Sequence, residues 1–176
     1  MILSRDEQLL LPANPVFIGA SLAVAFGLNM LLNMGVWGRA AWAPDIVAVA
    51  LVFWSVHQPR RVGMGLAFMF GLFTDVHQGS MLGLHALAYA VLSFFAIALH
   101  RRLWWFGVPS QALQLLPLFI VAHLIELALR MIGGGSFPGI GLLLSPLLET
   151  ALWPLVSTVL LAPQRRAPDQ DENRVL

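Results

Sequence analysis

The stretch VGMGLAFMFGLFTDVHQGSMLGLHALAYAVLSFFAIALH, residues 62 to 100, decides the fold. It lies between the pairs Arg60-Arg61 and Arg101-Arg102, and its only formal charge is Asp75. As one helix its 39 residues would reach roughly 58 Å, at about 1.5 Å per residue, which is twice the thickness of a hydrocarbon core. The stretch therefore predicts two membrane-crossing helices, with a break at the polar, turn-compatible residues 75 to 79.

The composition of the whole chain also indicates membrane helices. Of its 176 residues 59% are apolar and 11% are charged, against about 45–50% and about 25% in soluble domains. A soluble core of this size could not bury so many apolar side chains, whereas lipid-facing helices can leave them exposed to lipid. The composition excludes a secreted disulfide scaffold, an acidic disordered chain and a nucleic-acid-binding protein. Because cysteine is absent, thiol catalysis and cysteine-ligated metal are excluded as well.

Apolar stretches separated by arginine, proline and turn residues predict an all-α fold with six transmembrane helices. In chain order they cover about residues 16 to 36, 44 to 58, two passes within 62 to 100, 109 to 132, and 140 to 162. The second of these helices begins at Pro44-Asp45. Proline suits a first helical turn and an acid suits the positive end of a helix, so both residues mark its start.

The arginines predict the orientation, because lysine is absent and all ten basic residues are arginine. With both termini inside, eight arginines lie on the inner side and two, Arg39 and Arg130, on the outer side. This is a strong positive-inside distribution. We therefore expect a cytoplasmic segment of residues 1 to 15, a transmembrane domain of residues 16 to 162 and a disordered cytoplasmic tail of residues 163 to 176.

Polar and ionisable side chains of every predicted helix collect in the outer half of the membrane. They are Asn29, Asn33, Asp45, Asp75, His77, His85, His123, Glu126, Arg130 and Glu149. Asparagines between helices are usually hydrogen-bonded packing residues, and an acid four residues before an arginine suits an ion pair, here Glu126 with Arg130. Asp75 and Glu149 have no basic neighbour in sequence, so they are the primary functional candidates. The one-sided distribution predicts an outward-facing polar pocket or a subunit contact.

Small residues predict close packing of the third and fourth helices. Gly63, Ala67 and Gly71 are spaced by four residues, as are Gly79 and Gly83 after the turn. Such spacing lets two helix backbones approach each other closely. We therefore expect a compact helical hairpin whose outer tip carries the aspartate of the turn.

No segment carries a recognised catalytic pattern. The sequence has no glycine-rich phosphate loop followed by lysine and no His-Glu-x-x-His zinc motif. Residues 71 to 75 lack the Gly-x-Gly-Asp form of an intramembrane aspartyl protease, and Ser136 lies in a glycine-rich loop rather than at a helix start. We therefore predict a protein that is not an enzyme, with no catalytic, cofactor-binding or metal site. Ion or solute transport stays an alternative, because intramembrane acids serve as cation sites.

The segment FGLFTDVHQGSMLGLHALAY, residues 70 to 89, closely resembles the signature of the MreD family of rod shape-determining proteins. The family's Pro-Asp start of the second helix is matched by Pro44-Asp45, and its basic turn by Pro59-Arg60-Arg61. The candidate motif and interface residues are Pro44, Asp45, Gly71, Asp75, Gly79, Leu82, Gly83, His85, Tyr89, Glu126 and Glu149.

The resemblance implies a non-enzymatic subunit of the bacterial inner-membrane elongation complex, which supports lateral peptidoglycan synthesis and rod shape. It implies MreC, a single-pass scaffold protein, as the direct partner. The elongation transpeptidase, RodA, RodZ and MreB filaments would belong to the same complex, and membrane lipid would surround it. The family also resembles the substrate-binding subunits of vitamin importers in overall fold.

Residues and resemblance together give one hypothesis about mechanism. The outer-half polar cluster, centred on Asp75 and Glu149, is expected to shape an outward-open groove that seats the MreC transmembrane helix. The alternative is a membrane solute-binding or transport subunit with an outward-facing polar pocket. A groove for a helix and a pocket for a lipid or small ligand both need small residues and a few polar groups, so both stay open.

Overall fold

A computed structural model describes residues 14 to 35 and 40 to 164 of the chain. In these two ranges the regular structure is entirely helical, so the predicted all-α class is confirmed. The helices are α1 (Pro15–Gly35), α2 (Ile46–His57), α3 (Met64–Gln78), α4 (Leu84–Leu103), α5 (Val108–Ile132) and α6 (Leu144–Leu161), with 3-10 turns at Ile140–Leu143 and Ala162–Gln164. The predicted cytoplasmic segment and tail lie almost wholly outside the described residues.

Within residues 14 to 35 and 40 to 164, four helical segments are long and apolar enough to cross a membrane. They are Pro15–Gly35, Leu84–Leu103, Val108–Ile132 and Ile140–Gln164. α2 has 12 residues and α3 has 15, so each reaches only about 18–22 Å at the rise of an α-helix. The sequence predicts longer passes there because its apolar stretches include flanking residues that form caps and turns. The structure therefore shows a membrane protein with four helices of spanning length and two shorter ones.

α2 lies at the centre of the bundle. Its residues 47 to 56 are all buried, and it contacts α1, α4 and α6. The indole nitrogen of Trp54 donates a hydrogen bond to Ser21 Oγ of α1 at 2.9 Å, and Ser55 Oγ lies 2.8 Å from Ser93 Oγ of α4. Because buried polar groups need partners in an apolar environment, these bonds fix how α2 sits between its neighbours.

α3 and α4 form the compact hairpin that the glycine spacing predicts. Gly71 packs so closely on α4 that a Cβ atom there would lie 2.3 Å from Ala86 Cα. Gly79 ends α3 and Gly83 precedes α4, with φ values of 62° and 101°. Both values lie in the left-handed region that favours glycine, so the two residues make the sharp turn between the helices.

The bundle has two chemically different ends. At the first, the arginine end, α2 and α4 finish near the pairs Arg60-Arg61 and Arg101-Arg102. Trp104 and Trp105 are exposed at this end, where tryptophans commonly meet the membrane surface. At the opposite end, the cavity end, α2 and α6 begin beside the α3–α4 turn and the end of α5.

We predict that Gly71→Ala destabilises the protein, because its methyl group would need the space of the Ala86 backbone. Overpacking of this kind costs about 1–3 kcal/mol. The free energy of unfolding is measured by SDS titration of the purified protein in mixed micelles. Gly65→Ala in the same helix is the matched control, since a Cβ atom there meets nothing within 4 Å. An equal loss of stability in the two variants would contradict the close approach.

Candidate functional site

A polar cavity of about 810 Å³ lies at the cavity end of the bundle. α1, the start of α2, the α3–α4 turn, α5 and the segment before α6 all contribute to its wall. Its polar lining includes Asn29, Asn33, Asp45, His77, His85, His123, Glu126, Arg130 and Ser145. The volume is in the range of sites for small ligands, about 300–1,000 Å³. The structure thus brings most of the predicted outer-half polar side chains to one cavity.

Asp45 connects several helices at this cavity. Its side chain caps α2, because Oδ1 accepts hydrogen bonds from the backbone N–H groups of Val47 and Ala48 at 3.0 and 3.2 Å. The same oxygen accepts from Asn29 Nδ2 of α1 at 3.3 Å. The second oxygen, Oδ2, accepts from the hydroxyl group of Tyr89 on α4. One carboxyl group therefore holds α1 and α4 to the start of α2.

Glu149 of α6 is fully buried and contacts the backbone before α2. Its Oε1 accepts from the Asp45 backbone N–H at 3.0 Å and lies 3.2 Å from Ser145 Oγ. Ser145 Oγ also lies 2.8 Å from the carbonyl oxygen of Ala43 and 3.0 Å from His123 Nε2 of α5. Through these contacts α5 and α6 are attached to the segment that leads into α2.

Asp75 of α3 caps the neighbouring helix α4. Its Oδ2 accepts from the Gly83 N–H at 2.9 Å, and its Oδ1 accepts from the His85 N–H at 2.9 Å. The side chain of His85 donates from Nδ1 to Oδ1 at 2.7 Å, and the Ser80 hydroxyl donates at 2.9 Å. Donors at a helix start lack partners within the helix, and the glycine before α4 has no side chain to supply one. Asp75 therefore provides the missing cap across the turn.

The structure corrects the expected position of the two primary candidates. Asp75 and Glu149 are fully buried, and neither lines the cavity. Both carboxyl oxygens of Asp75 and Oε1 of Glu149 accept the hydrogen bonds described above. Glu149 Oε2 has no hydrogen-bond partner among the described residues. The sequence gives the depth of an acid along its helix, but not the neighbour that its side chain faces. The acids that line the cavity are Asp45 and Glu126.

Glu126 and Arg130 line the cavity from α5, but they do not form the ion pair that the sequence predicts. Within the part of the chain that the structure describes, the ion pairs join histidines to Asp75 and Glu149. The loop after α5 packs on the arginine instead. The Gly135 N–H donates to the Arg130 carbonyl oxygen at 2.9 Å, and a Cβ atom at Gly135 would lie 2.8 Å from Arg130 Cγ. The loop therefore packs closely against the backbone and the aliphatic part of the Arg130 side chain.

The remaining candidates have clear positions. Pro44 is buried but precedes the cap Asp45, so it lies outside α2 and not in its first turn as the sequence predicts. Leu82 lies exposed in the α3–α4 turn. Sequence reasoning missed Ser145, although its place four residues before Glu149 on one helix face is a signal that points to a contact between them.

We predict that Asp75→Asn destabilises the hairpin, because the amide nitrogen cannot accept the hydrogen bond that one carboxyl oxygen receives. Leaving such a buried donor unsatisfied costs about 1–3 kcal/mol. Ser80→Ala removes a single donor to the same carboxyl group and should cost only about 0.5–1.5 kcal/mol. SDS titration of both variants measures the difference. An Asp75→Asn variant as stable as Ser80→Ala would contradict the capping role.

Comparison with known proteins identifies the family. The sequence model for the family described as rod shape-determining protein MreD matches residues 13 to 162. A curated relative, the rod shape-determining protein MreD of Haemophilus influenzae (strain ATCC 51907 / DSM 11121 / KW20 / Rd), is 29% identical over an alignment of length 109 that covers 58% of this chain and 65% of the relative. The match thus spans just under two thirds of that relative. No solved structure matches the chain at a significant level.

The family match includes every part of the site. Asp45 at the start of α2, the Asp75 cap and the wall of the cavity all lie within the matched residues. The family is one of shape-determining structural proteins, in line with the absence of a recognised catalytic pattern in the sequence. With a match over most of its length and four helices of spanning length, the chain belongs to the MreD family of rod shape-determining membrane proteins.

Proposed function

We propose that this chain is a subunit of the bacterial elongation complex that binds the scaffold protein MreC and so supports lateral peptidoglycan synthesis and rod shape. It would lie in the inner membrane and cross it six times, with both termini in the cytoplasm. Four of the described arginines belong to the arginine end and one, Arg130, to the cavity end. The positive-inside rule therefore supports a cytoplasmic arginine end and a periplasmic cavity end.

Six passes require α2 and α3 to count as crossings despite their length. α2 is buried between α1, α4 and α6, and α3 packs along α4. Helix ends that are surrounded by protein do not have to reach the membrane surface, because their backbone groups find partners within the protein. The cap of α2 by Asp45 and the αL cap of α3 at Gly79 supply such partners at the cavity end.

The outer face of the α3–α4 hairpin is the observation that carries the MreC proposal. The inner face of the segment from residue 70 to residue 89 packs within the bundle, since Gly71, Asp75 and Tyr89 are buried. On the outer face Phe73, Val76 and Leu82 are 51%, 70% and 66% exposed. Phe73 and Val76 are one helical turn apart, and Leu82 lies in the turn at the cavity end of the bundle.

A partner helix fits this face better than lipid alone. Helices associate in membranes through close van der Waals contact, and a straight helix along Phe73 and Val76 would continue past Leu82 into the periplasm. MreC is proposed to place its single transmembrane helix there, with the base of its periplasmic part on the turn. In this arrangement Asp75 and Glu149 act indirectly, because they hold the hairpin and the helices behind it in shape.

Co-purification of the tagged chain with MreC from the same organism, in mild detergent, tests this proposal. The variant Phe73→Ala/Val76→Ala/Leu82→Ala should retain about tenfold less MreC, the loss expected when about 1.4 kcal/mol of binding free energy is removed. The matched control is Leu113→Ala/Leu155→Ala/Val159→Ala, which shortens equally exposed side chains on α5 and α6. The control should retain MreC and support rod-shaped cells.

Full MreC retention by the hairpin variant, with the protein folded and abundant, would contradict the proposed interface. Loss of MreC from the control to the same extent would contradict it too. If the unaltered chain recovers no MreC and instead binds a solute saturably without a partner, the function is that of a transport-type binding subunit and the scaffold proposal is wrong.

A further inference from the structure

Two opposite charges line the polar cavity without pairing with each other. Glu126 and Arg130 lie one turn apart on α5, which places their Cβ atoms about 5–6 Å from each other. In the described part of the chain, neither the carboxyl group of Glu126 nor the guanidinium group of Arg130 forms an ion pair. Unpaired charges within a membrane protein are costly and commonly mark a binding site. The cavity thus offers an anionic and a cationic contact side by side.

A buried acceptor in the cavity wall also lacks a donor. Asn29 is 4% exposed, and its Nδ2 donates to Asp45 Oδ1 at 3.3 Å. Since a carboxyl oxygen needs a donor, this bond fixes which end of the amide is the nitrogen. The remaining end, Asn29 Oδ1, has no hydrogen-bond partner among the described residues. Asn29 Oδ1 is itself buried within the cavity wall, so Glu126 is the acceptor that suits a bound ammonium group.

An apolar groove between α5 and α6 adjoins the cavity. It has a volume of about 140 Å³ and is lined by Leu116, Ile120, Leu124, Leu142, Leu143, Pro146 and Leu147, together with His123. His123 and Leu142 line both the groove and the polar cavity, so the two spaces share part of their wall. Ile120 and Leu124 are exposed, which opens the groove to the outside of the bundle. A polar cavity beside an apolar, outward-open groove matches the polar and apolar parts of an amphiphile.

We propose that the cavity and the groove together bind one phospholipid whose headgroup carries a phosphate and a primary ammonium group, as in phosphatidylethanolamine. Arg130 contacts the phosphate, Glu126 contacts the ammonium, and an acyl chain lies in the α5–α6 groove. The headgroup has no net charge, and neither has the pair Glu126 and Arg130. An anionic phospholipid without the ammonium would leave the acid unpaired, so the site distinguishes the two lipids.

The site is independent of the proposed MreC interface. The α3–α4 turn contributes to the cavity wall, but Phe73, Val76 and Leu82, the side chains proposed to contact MreC, line neither the cavity nor the groove. A test on the purified full chain without MreC therefore leaves the two proposals separable. Failure of lipid binding would not affect MreC retention, and the reverse also holds.

The test is native mass spectrometry of the purified chain with equal amounts of phosphatidylethanolamine and phosphatidylglycerol of the same acyl chains. The unaltered chain should retain phosphatidylethanolamine about tenfold more. Glu126→Gln should abolish this preference, because it removes the charge opposite the ammonium. Arg130→Gln should lower retention of both lipids, because both carry the phosphate. Arg101→Gln at the arginine end is the matched control and should change neither.

Soluble O-phosphoethanolamine separates a lipid from a free ligand with the same headgroup. It lacks an acyl chain, so it should displace the lipid only at a large molar excess. Ile120→Trp, which fills the groove, should weaken retention of the lipid and leave binding of O-phosphoethanolamine unchanged. Equal retention of the two lipids, or displacement by O-phosphoethanolamine at equal concentration, would overturn the proposal. If Arg130→Gln fails to fold, the loss of preference in Glu126→Gln still decides it.

Discussion

The hydrogen bonds of Asp45 join four of the six helices at one residue. One carboxyl group caps α2 and accepts from Asn29 of α1 and Tyr89 of α4, while the backbone N–H of the same residue donates to Glu149 of α6. Polar groups without partners are expensive in an apolar environment, so these four helices must meet at this residue. The polar cavity adjoins Asp45 because the same helix starts and turns that need polar partners also form its wall.

The helices and the α3–α4 hairpin could be predicted from the sequence, whereas the bonds between helices could not. Arginines, glycines and Pro44-Asp45 mark where helices end or begin, and the spacing that includes Gly71 predicts a close helix contact. The partner of Asp75 depends on a turn closed by two left-handed glycines, because only that turn brings the start of α4 onto the carboxyl group. Helical spacing brings Glu126 and Arg130 to one face of α5, but it does not determine the orientation of their side chains, and they form no ion pair.

The acids that look most functional in the sequence form buried hydrogen bonds, and the surfaces that we propose for function lie elsewhere. Asp75 and Glu149 are used to cap one helix and attach another. These surfaces are the apolar outer face of the α3–α4 hairpin and the cavity beside the α5–α6 groove. We propose the first for a partner helix and the second for a lipid. The buried hydrogen bonds of the bundle hold both surfaces in place.

A double-mutant cycle between Asp45 and Tyr89 measures the central interaction most directly. The free energy of unfolding is compared by SDS titration for the unaltered chain, Asp45→Ala, Tyr89→Phe and the double variant. If Asp45 joins α2 to α4, Tyr89→Phe destabilises the unaltered chain by about 1–2 kcal/mol but has little further effect once Asp45 is alanine. Effects that add to within about 0.3–0.5 kcal/mol would show that the two residues are not coupled, and would contradict the role of Asp45 as the junction of the helices.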